Sequence, residues 1–158
     1  MVVSDIIKSA AEKTLGIQSF GYGAKAYSDI ESRELDLTFF ERIATENNKL
    51  EFPRLWLYPI VITEEILKSG ALDTSYNIDL LLAKQSDFTG SGKSVDDILN
   101  EMHLLSREYI LRLKKEPGVL RMTQITKRPA FHITKQNLVG YMINFKLNIS
   151  EAILYPCN

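Results

Sequence analysis

The stretch that most resembles a reactive site is DFTGSGKS, residues 87–94, between a predicted strand and a predicted helix. A phosphate-binding loop has the pattern GxxxxGK[ST], in which backbone N–H groups surround the phosphates and the lysine reaches the outer ones. Residues 92–94, GKS, match its second half, but Asp87 stands at the first glycine. That carboxylate repels phosphate, and its Cβ resists the tight turn. The pattern favours a helix cap, with Ser94 and Asp97 as a capping box, over nucleotide binding.

Other reactive side chains are few and scattered. The adjacent Glu64 and Glu65 are a possible general acid and base, but neighbouring side chains point apart, which favours a solvated turn. His103, His132 and the single Cys157 have no spacing that suits zinc or an activated nucleophile. We therefore predict that the protein is not an enzyme and has no catalytic, cofactor-binding or metal-binding residues.

Length and composition predict one globular domain. The chain has 158 residues, of which 45% are hydrophobic and 25% charged, and a net charge of −1 excludes a protein that coats nucleic acid through bulk charge. The charges are uneven, because residues 112–146 hold eight basic residues and one acid, whereas residues 29–51 hold seven acids and three basic residues. Two faces of opposite charge are expected.

No apolar run approaches the roughly 20 residues that span a bilayer, so we expect a soluble protein made in the cytoplasm without membrane contact.

Hydrophobic periodicity predicts the elements that position these residues. In order, they are an N-terminal helix (1–16), a loop or irregular hairpin (17–50), and a sheet with its core helix (51–158). Within this last segment we predict two antiparallel strands at 55–62 and 76–84, then a helix over 95–115, and finally strands at 119–127 and 141–149. Pro53 and Pro59 place the first of these strands at an edge or give it a bulge. The predicted fold class is α+β, with a small antiparallel or mixed sheet packed on one long helix and an N-terminal helix, in a single domain.

Two patterns indicate which faces are buried. In the long helix one stripe is apolar: Val95, Ile98, Leu99, Met102, Leu105, Tyr109 and Leu113. In the last strand, Tyr141, Ile143, Phe145, Leu147 and Ile149 alternate with Met142, Asn144, Lys146 and Asn148, so that one face meets the core and the other meets water or a partner.

A subunit contact is the surface function that these patterns favour. Leu104 and Leu111 lie seven residues apart on the polar side of the long helix. With the basic residues Arg121, Lys127 and Arg128 and the loop residue Lys93, they form the predicted interface. The alternative is binding of single-stranded nucleic acid by the basic C-terminal strands, with Phe131, Tyr141 and Phe145 as stacking platforms. Nucleotide binding by the glycine loop is a distant third.

The order of these segments resembles the tail-terminator and neck-ring proteins of tailed bacteriophages, especially those from phages of Bacteroides-type hosts (crAss-like phages). The resemblance covers residues 35–158 and rests on four stretches: FPRLWLYP at 52–59, YNIDLLL at 76–82, DDILNEM at 96–102 and NLVGYMINFKL at 137–147, with Cys157 near the end. Phe52 stands where these proteins more often have tyrosine, and the GSG link before the helix is an unusual insertion.

The resemblance implies a tail-terminator-like structural protein of the virion rather than an enzyme. Its copies would assemble into a closed ring that joins or caps parts of the neck or tail around the DNA channel. The implied partners are further copies of the chain, other phage neck and tail proteins, and the genomic DNA that passes through. The implied location is the virion, with the host cytoplasm as the place of assembly.

Overall fold

The computed structural model describes residues 2–23, 52–86, 95–130 and 138–155. In those ranges the chain is an α+β fold with a mixed six-stranded sheet and three helices. The elements are α1 (Val3–Glu12), β1 (Ser19–Tyr22), β2 (Arg54–Leu57), β3 (Val61–Ile66), β4 (Leu72–Gln85), α2 (Val95–Lys114), β5 (Val119–Ala130), β6 (Leu138–Ile149) and α3 (Glu151–Leu154). None of these helices combines the length and the hydropathy that crossing a bilayer requires.

The sheet has the order β1-β2-β4-β6-β5, and β3 pairs with the other half of β4. Only the β1–β2 pair is parallel, and the remaining pairs are antiparallel. The first part of β4 pairs with β3 and its later part with β2, so these two short strands lie end to end along one side of β4.

A single strand over 55–62, at an edge or with a bulge, was predicted, and the structure differs in two respects. The chain forms β2, leaves the strand conformation at Tyr58–Ile60, and resumes pairing as β3. Pro59 lies in this break, where its missing backbone donor does not interrupt a ladder of hydrogen bonds. β2 is also not at an edge, because β1 pairs with it on the side opposite β4.

Two further boundaries differ from the sequence prediction. The segment 17–50 was expected to be a loop or hairpin, yet Ser19–Tyr22 forms β1, while residues 24–50 lie outside the described ranges. Glu64 and Glu65 were placed in a solvated turn, but both lie in β3 and are exposed there. The turn is confined to residues 67–71, where Gly70 has a φ of +83° and the Leu67 N–H donates to the Ala71 carbonyl.

The main core lies between one face of the sheet and helices α1 and α2. The predicted stripe of α2 is confirmed, since Ile98, Met102, Leu105, Tyr109 and Leu113 are buried and Val95 and Leu99 pack against them. The predicted alternation in β6 is also confirmed, because Ile143, Phe145, Leu147 and Ile149 are buried in the same cluster and Tyr141 packs against it. From α1 the core receives Val3, Ile6, Ile7, Ala10 and Ala11.

The opposite face of the sheet carries a smaller apolar cluster that the sequence patterns did not predict. Its buried members are Trp56, Tyr58, Leu81, Ala83 and Leu138. Arg54 is buried beside it, with its guanidinium 5.5 Å from the centre of the Trp56 ring and its Nη1 donating to Ser19 Oγ at 3.2 Å. Burial lowers the pKa of Arg54. This guanidinium is too enclosed to serve as part of a binding surface.

Polar contacts of Tyr109 and Glu116, as well as the core, hold helix α1 to α2. The buried Tyr109 hydroxyl donates to the Ile7 carbonyl at 3.3 Å. Just after α2, the buried Glu116 carboxylate accepts from Lys13 Nζ at 2.8 Å and from Ser9 Oγ at 3.1 Å. These contacts fix the N-terminal helix on the long helix.

Replacing Tyr109 with phenylalanine should give a stability loss that depends on pH. Burial raises the pKa of Tyr109, and Glu116 adds to the effect. The stability that this raised pKa contributes is fully present below the ordinary tyrosine pKa of about 10 and is lost above it, at about 1.4 kcal/mol per pH unit. The variant lacks the hydroxyl and is spared that alkaline loss, whereas at pH 7 it loses about 1 kcal/mol with the hydrogen bond.

Urea unfolding of both proteins from pH 7 to pH 11 checks this prediction. We expect Tyr109→Phe to be less stable than wild type at pH 7, to equal it between about pH 10 and pH 11, and to be the more stable protein at pH 11. A difference that stays constant over this range would contradict the buried, protonated phenol.

Candidate interaction surface

Strands β3 and β4 form a hairpin that extends past the rest of the sheet. We call residues 61–77 the hairpin arm. Pairing of β4 with β6 begins only at Tyr76, so within the described residues the outer part of the arm is a two-stranded ribbon. The Asn148 side chain links the arm back to β6, donating to the Thr74 carbonyl at 2.9 Å and to Asp73 Oδ1 at 3.5 Å. Such a ribbon has little core of its own, and its side chains are available to other molecules.

One face of the hairpin arm carries exposed apolar side chains on either side of a polar pair. Cross-strand neighbours on this face are Ile62 with Tyr76, Glu64 with Thr74, and Ile66 with Leu72. Ile62 is 59% exposed, Ile66 75% and Leu72 61%. Large apolar side chains grouped in this way on a polar surface are typical of a protein contact site.

A groove of about 370 Å³ runs beside this face. The arm forms one wall, and the other wall consists of the start of β5, the end of β6 and helix α3. Its apolar lining includes Ile62, Leu72, Tyr76, Leu120, Leu154 and Tyr155. Leu120 is 70% exposed and Tyr155 is 73% exposed, so the apolar surface continues across both walls.

The charges around the groove are acidic. Glu64, Asp73 and Glu151 line it. Burial raises the pKa of Tyr76, and the charges of Tyr155, Glu151 and Glu64 act in the same direction. The groove is therefore lined by both apolar and acidic side chains.

The structure places Leu104 and Leu111 on the side of α2 that faces away from the core, 52% and 58% exposed. At 100° per residue they are aligned, and Arg107 lies between them along the helix and is also exposed. We call Leu104, Arg107 and Leu111 the helix ridge. The exposed Lys114 and Lys115 follow it, so the ridge lies in a basic surface.

The three predicted basic interface residues of β5 do not lie on one face. Arg121 pairs with Asn148 and Arg128 with Met142, which places both on the sheet face away from the helices. Lys127 pairs with the core residue Ile143 and so lies on the helix side. There its Nζ donates to Ser106 Oγ at 2.7 Å. Burial lowers the pKa of Lys127, and the positive charge of Arg107 lowers it further.

Lys127 therefore joins the edge strand β5 to α2 beside the helix ridge, while Arg121 and Arg128 belong to the opposite face. The predicted single basic face is wrong for these residues, because the alternation of β5 divides them. Lys93, with the rest of DFTGSGKS, lies outside the described residues.

The aromatic residues that the nucleic-acid alternative requires are largely in the core. Phe145 is fully buried, and Tyr141 packs against the main core with its ring 6.0 Å from that of His103. Phe131 lies outside the described ranges. Within those ranges, no group of three or more His, Cys, Asp or Glu side chains is arranged to hold a metal ion.

Sequence reasoning identified the helix ridge leucines and missed the hairpin arm. The signal for the arm was present in the sequence. Ile62, Glu64 and Ile66 are spaced two residues apart, as on one face of a strand, and Gly70 follows as a turn residue. It was hidden because the acidic pair at 64–65 suggested a turn. Compared with models of protein families and with curated proteins, the chain gives no significant match.

Proposed function

We propose that this protein is a structural component of a tailed-bacteriophage virion, of the tail-terminator or neck-ring type. Its copies assemble head to tail into a closed ring that joins or caps neck or tail components around the DNA channel. The hairpin arm is the observation that carries this proposal, because exposed apolar side chains grouped as they are on it are typical of a surface that contacts another protein.

A head-to-tail contact needs two different surfaces on each copy, and it closes into a ring when the rotation between copies allows. The acidic groove beside the arm and the basic helix ridge are two such surfaces. The order of the segments resembles that of phage ring proteins, and a net charge of −1 suits a channel that DNA passes through without sticking. Partners of the ring are other neck and tail proteins and the passing DNA, and assembly takes place in the host cytoplasm.

A binding role without catalysis fits the same surfaces. The large groove is lined by apolar and acidic side chains and has no histidine or cysteine among its lining residues. Nucleic-acid binding as the main activity is less well supported, since the aromatic ring of Phe145 is in the core and Arg121 and Lys127 lie on opposite faces. That alternative predicts salt-dependent DNA binding that is lost when Arg121, Lys127 and Arg128 are replaced by glutamate.

Electron microscopy of the purified protein tests the proposal. We expect class averages of closed rings with a central opening wide enough for duplex DNA. Open filaments, compact particles without an opening, or particles the size of one chain would contradict it. Binding to DNA at low salt, abolished by the triple glutamate variant, would favour the nucleic-acid alternative instead.

A further inference from the structure

The groove beside the hairpin arm and the helix ridge carry complementary residues in the same order. On the arm, Ile62 and Glu64 of β3 and Leu72 of β4 line the groove. Leu72 lies opposite Ile66, so the acid lies between two apolar side chains that are about 13 Å apart along the strand, at 3.3 Å per residue. Along α2 the residues Leu104, Arg107 and Leu111 give apolar, basic, apolar over about 10 Å, at 1.5 Å per residue. A groove lined by apolar and acidic side chains is a surface that accepts an amphipathic, basic helix face.

Both surfaces are uncovered in a single chain. The leucines of the ridge and the isoleucines of the arm are each more than half exposed. The acids that line the groove are Glu64, Asp73 and Glu151, and the exposed bases on and after the ridge are Arg107, Arg112, Lys114 and Lys115, with Glu108 as the one exposed acid among them. Opposite charges on two patches of one chain favour contact between copies, and they disfavour contact between like patches.

We propose that the groove beside the hairpin arm receives the helix ridge of the next copy of this chain. This inference rests on the proposed ring function and names the surfaces that build the ring. Leu104 and Leu111 enter the apolar lining around Ile62 and Leu72, and Arg107 lies against Glu64. Each copy offers its groove to one neighbour and its ridge to the other, so the interface is heterologous.

Two variants remove one surface each. Leu104→Glu with Leu111→Glu destroys the ridge, and Ile62→Asp with Leu72→Asp destroys the groove. Each should raise the dissociation constant for self-association by at least about 30-fold, as expected for the central residues of an interface. All four positions are exposed, so the circular dichroism spectrum should not change. Leu15→Glu, at a residue that is 94% exposed elsewhere, is the matched control and should assemble like wild type.

Mixing the two variants tests the direction of the contact. The ridge variant keeps its groove and the groove variant keeps its ridge, so an equal mixture should give a 1:1 pair of twice the chain mass of 18.0 kDa and nothing larger. Analytical ultracentrifugation measures this. A mixture that does not associate at any concentration, or either variant forming its own dimer, would overturn the proposal.

A charge exchange tests the individual pair. Glu64→Arg and Arg107→Glu should each weaken assembly, and the two changes in one chain should restore it, because every contact then again joins opposite charges. A double variant weaker than both single variants would contradict the pairing of Glu64 with Arg107.

The two levels of the proposal fail in different ways. If wild type never forms a species larger than one chain, the ring function itself is wrong. If wild type forms rings and both surface variants form them equally well, the ring stands and the groove-to-ridge contact is wrong. If rings persist while a neck or tail protein no longer binds the groove variant, the groove holds that other protein and the inference is overturned.

Discussion

Replacing Gly140 with alanine should lower the free energy of unfolding by about 3 kcal/mol, the upper end of the usual cost of overpacking. Gly140 lies in β6 opposite Ala83 of β4. A Cβ at this position would overlap the Leu82 carbonyl oxygen and lie 2.7 Å from the Ala83 Cα. These are backbone atoms that cannot rotate away, so the two central strands must separate. Urea unfolding followed by circular dichroism measures the loss.

Gly70→Ala is the matched control for this substitution. Gly70 has a φ of +83°, but a Cβ there meets no atom within 4 Å. The control should lose only about 1 kcal/mol, the cost of the left-handed conformation for a residue with a side chain. Equal losses in the two variants would show that β4 and β6 do not approach as closely as the register requires.

Shortening the hairpin arm should abolish self-assembly and leave the fold intact. Glu64 faces Thr74 across the arm, so removing residues 65–73 and joining these two through Asn-Gly makes a shorter hairpin with a favoured turn. The deletion removes Ile66 and Leu72, which contribute apolar surface to the arm and are exposed. The free energy of unfolding should change by no more than about 1 kcal/mol, about twice the usual limit for a single exposed substitution.

Light scattering and thermal unfolding of the shortened protein check both parts of this expectation. Val2→Ser, which removes another exposed apolar side chain, is the control and should assemble normally. Assembly of the shortened protein at wild-type affinity would exclude the arm from the interface. A collapse of its thermal transition would show instead that the arm supports the sheet.

The parts of the fold that could be predicted are those with a clear hydrophobic period. The buried stripe of α2 and the alternation of β6 each repeat over nine or more residues, so they report directly which side faces the core. β1 could not be predicted in this way. It has four residues, includes Gly21, and exists because it pairs in parallel with β2, which is 35 residues away in sequence.

The candidate site was predictable only in part for a related reason. Exposure of Leu104 and Leu111 follows from helical geometry alone. The groove depends on the arm, α3 and the start of β5 meeting at one end of the sheet, and no local pattern encodes that meeting. The burial of Arg54 could not be predicted either. Its guanidinium lies over the ring of Trp56, and both side chains are buried on the same face of the sheet.

The mass of the wild-type protein in solution tests the central claim most directly. Size-exclusion chromatography with light scattering, run over a range of concentrations, should show one discrete species whose mass is a whole-number multiple, greater than two, of the 18.0 kDa chain. The ring account predicts that this species loses whole copies on dilution and does not grow further on concentration. A mass of 18.0 kDa at every concentration would contradict it.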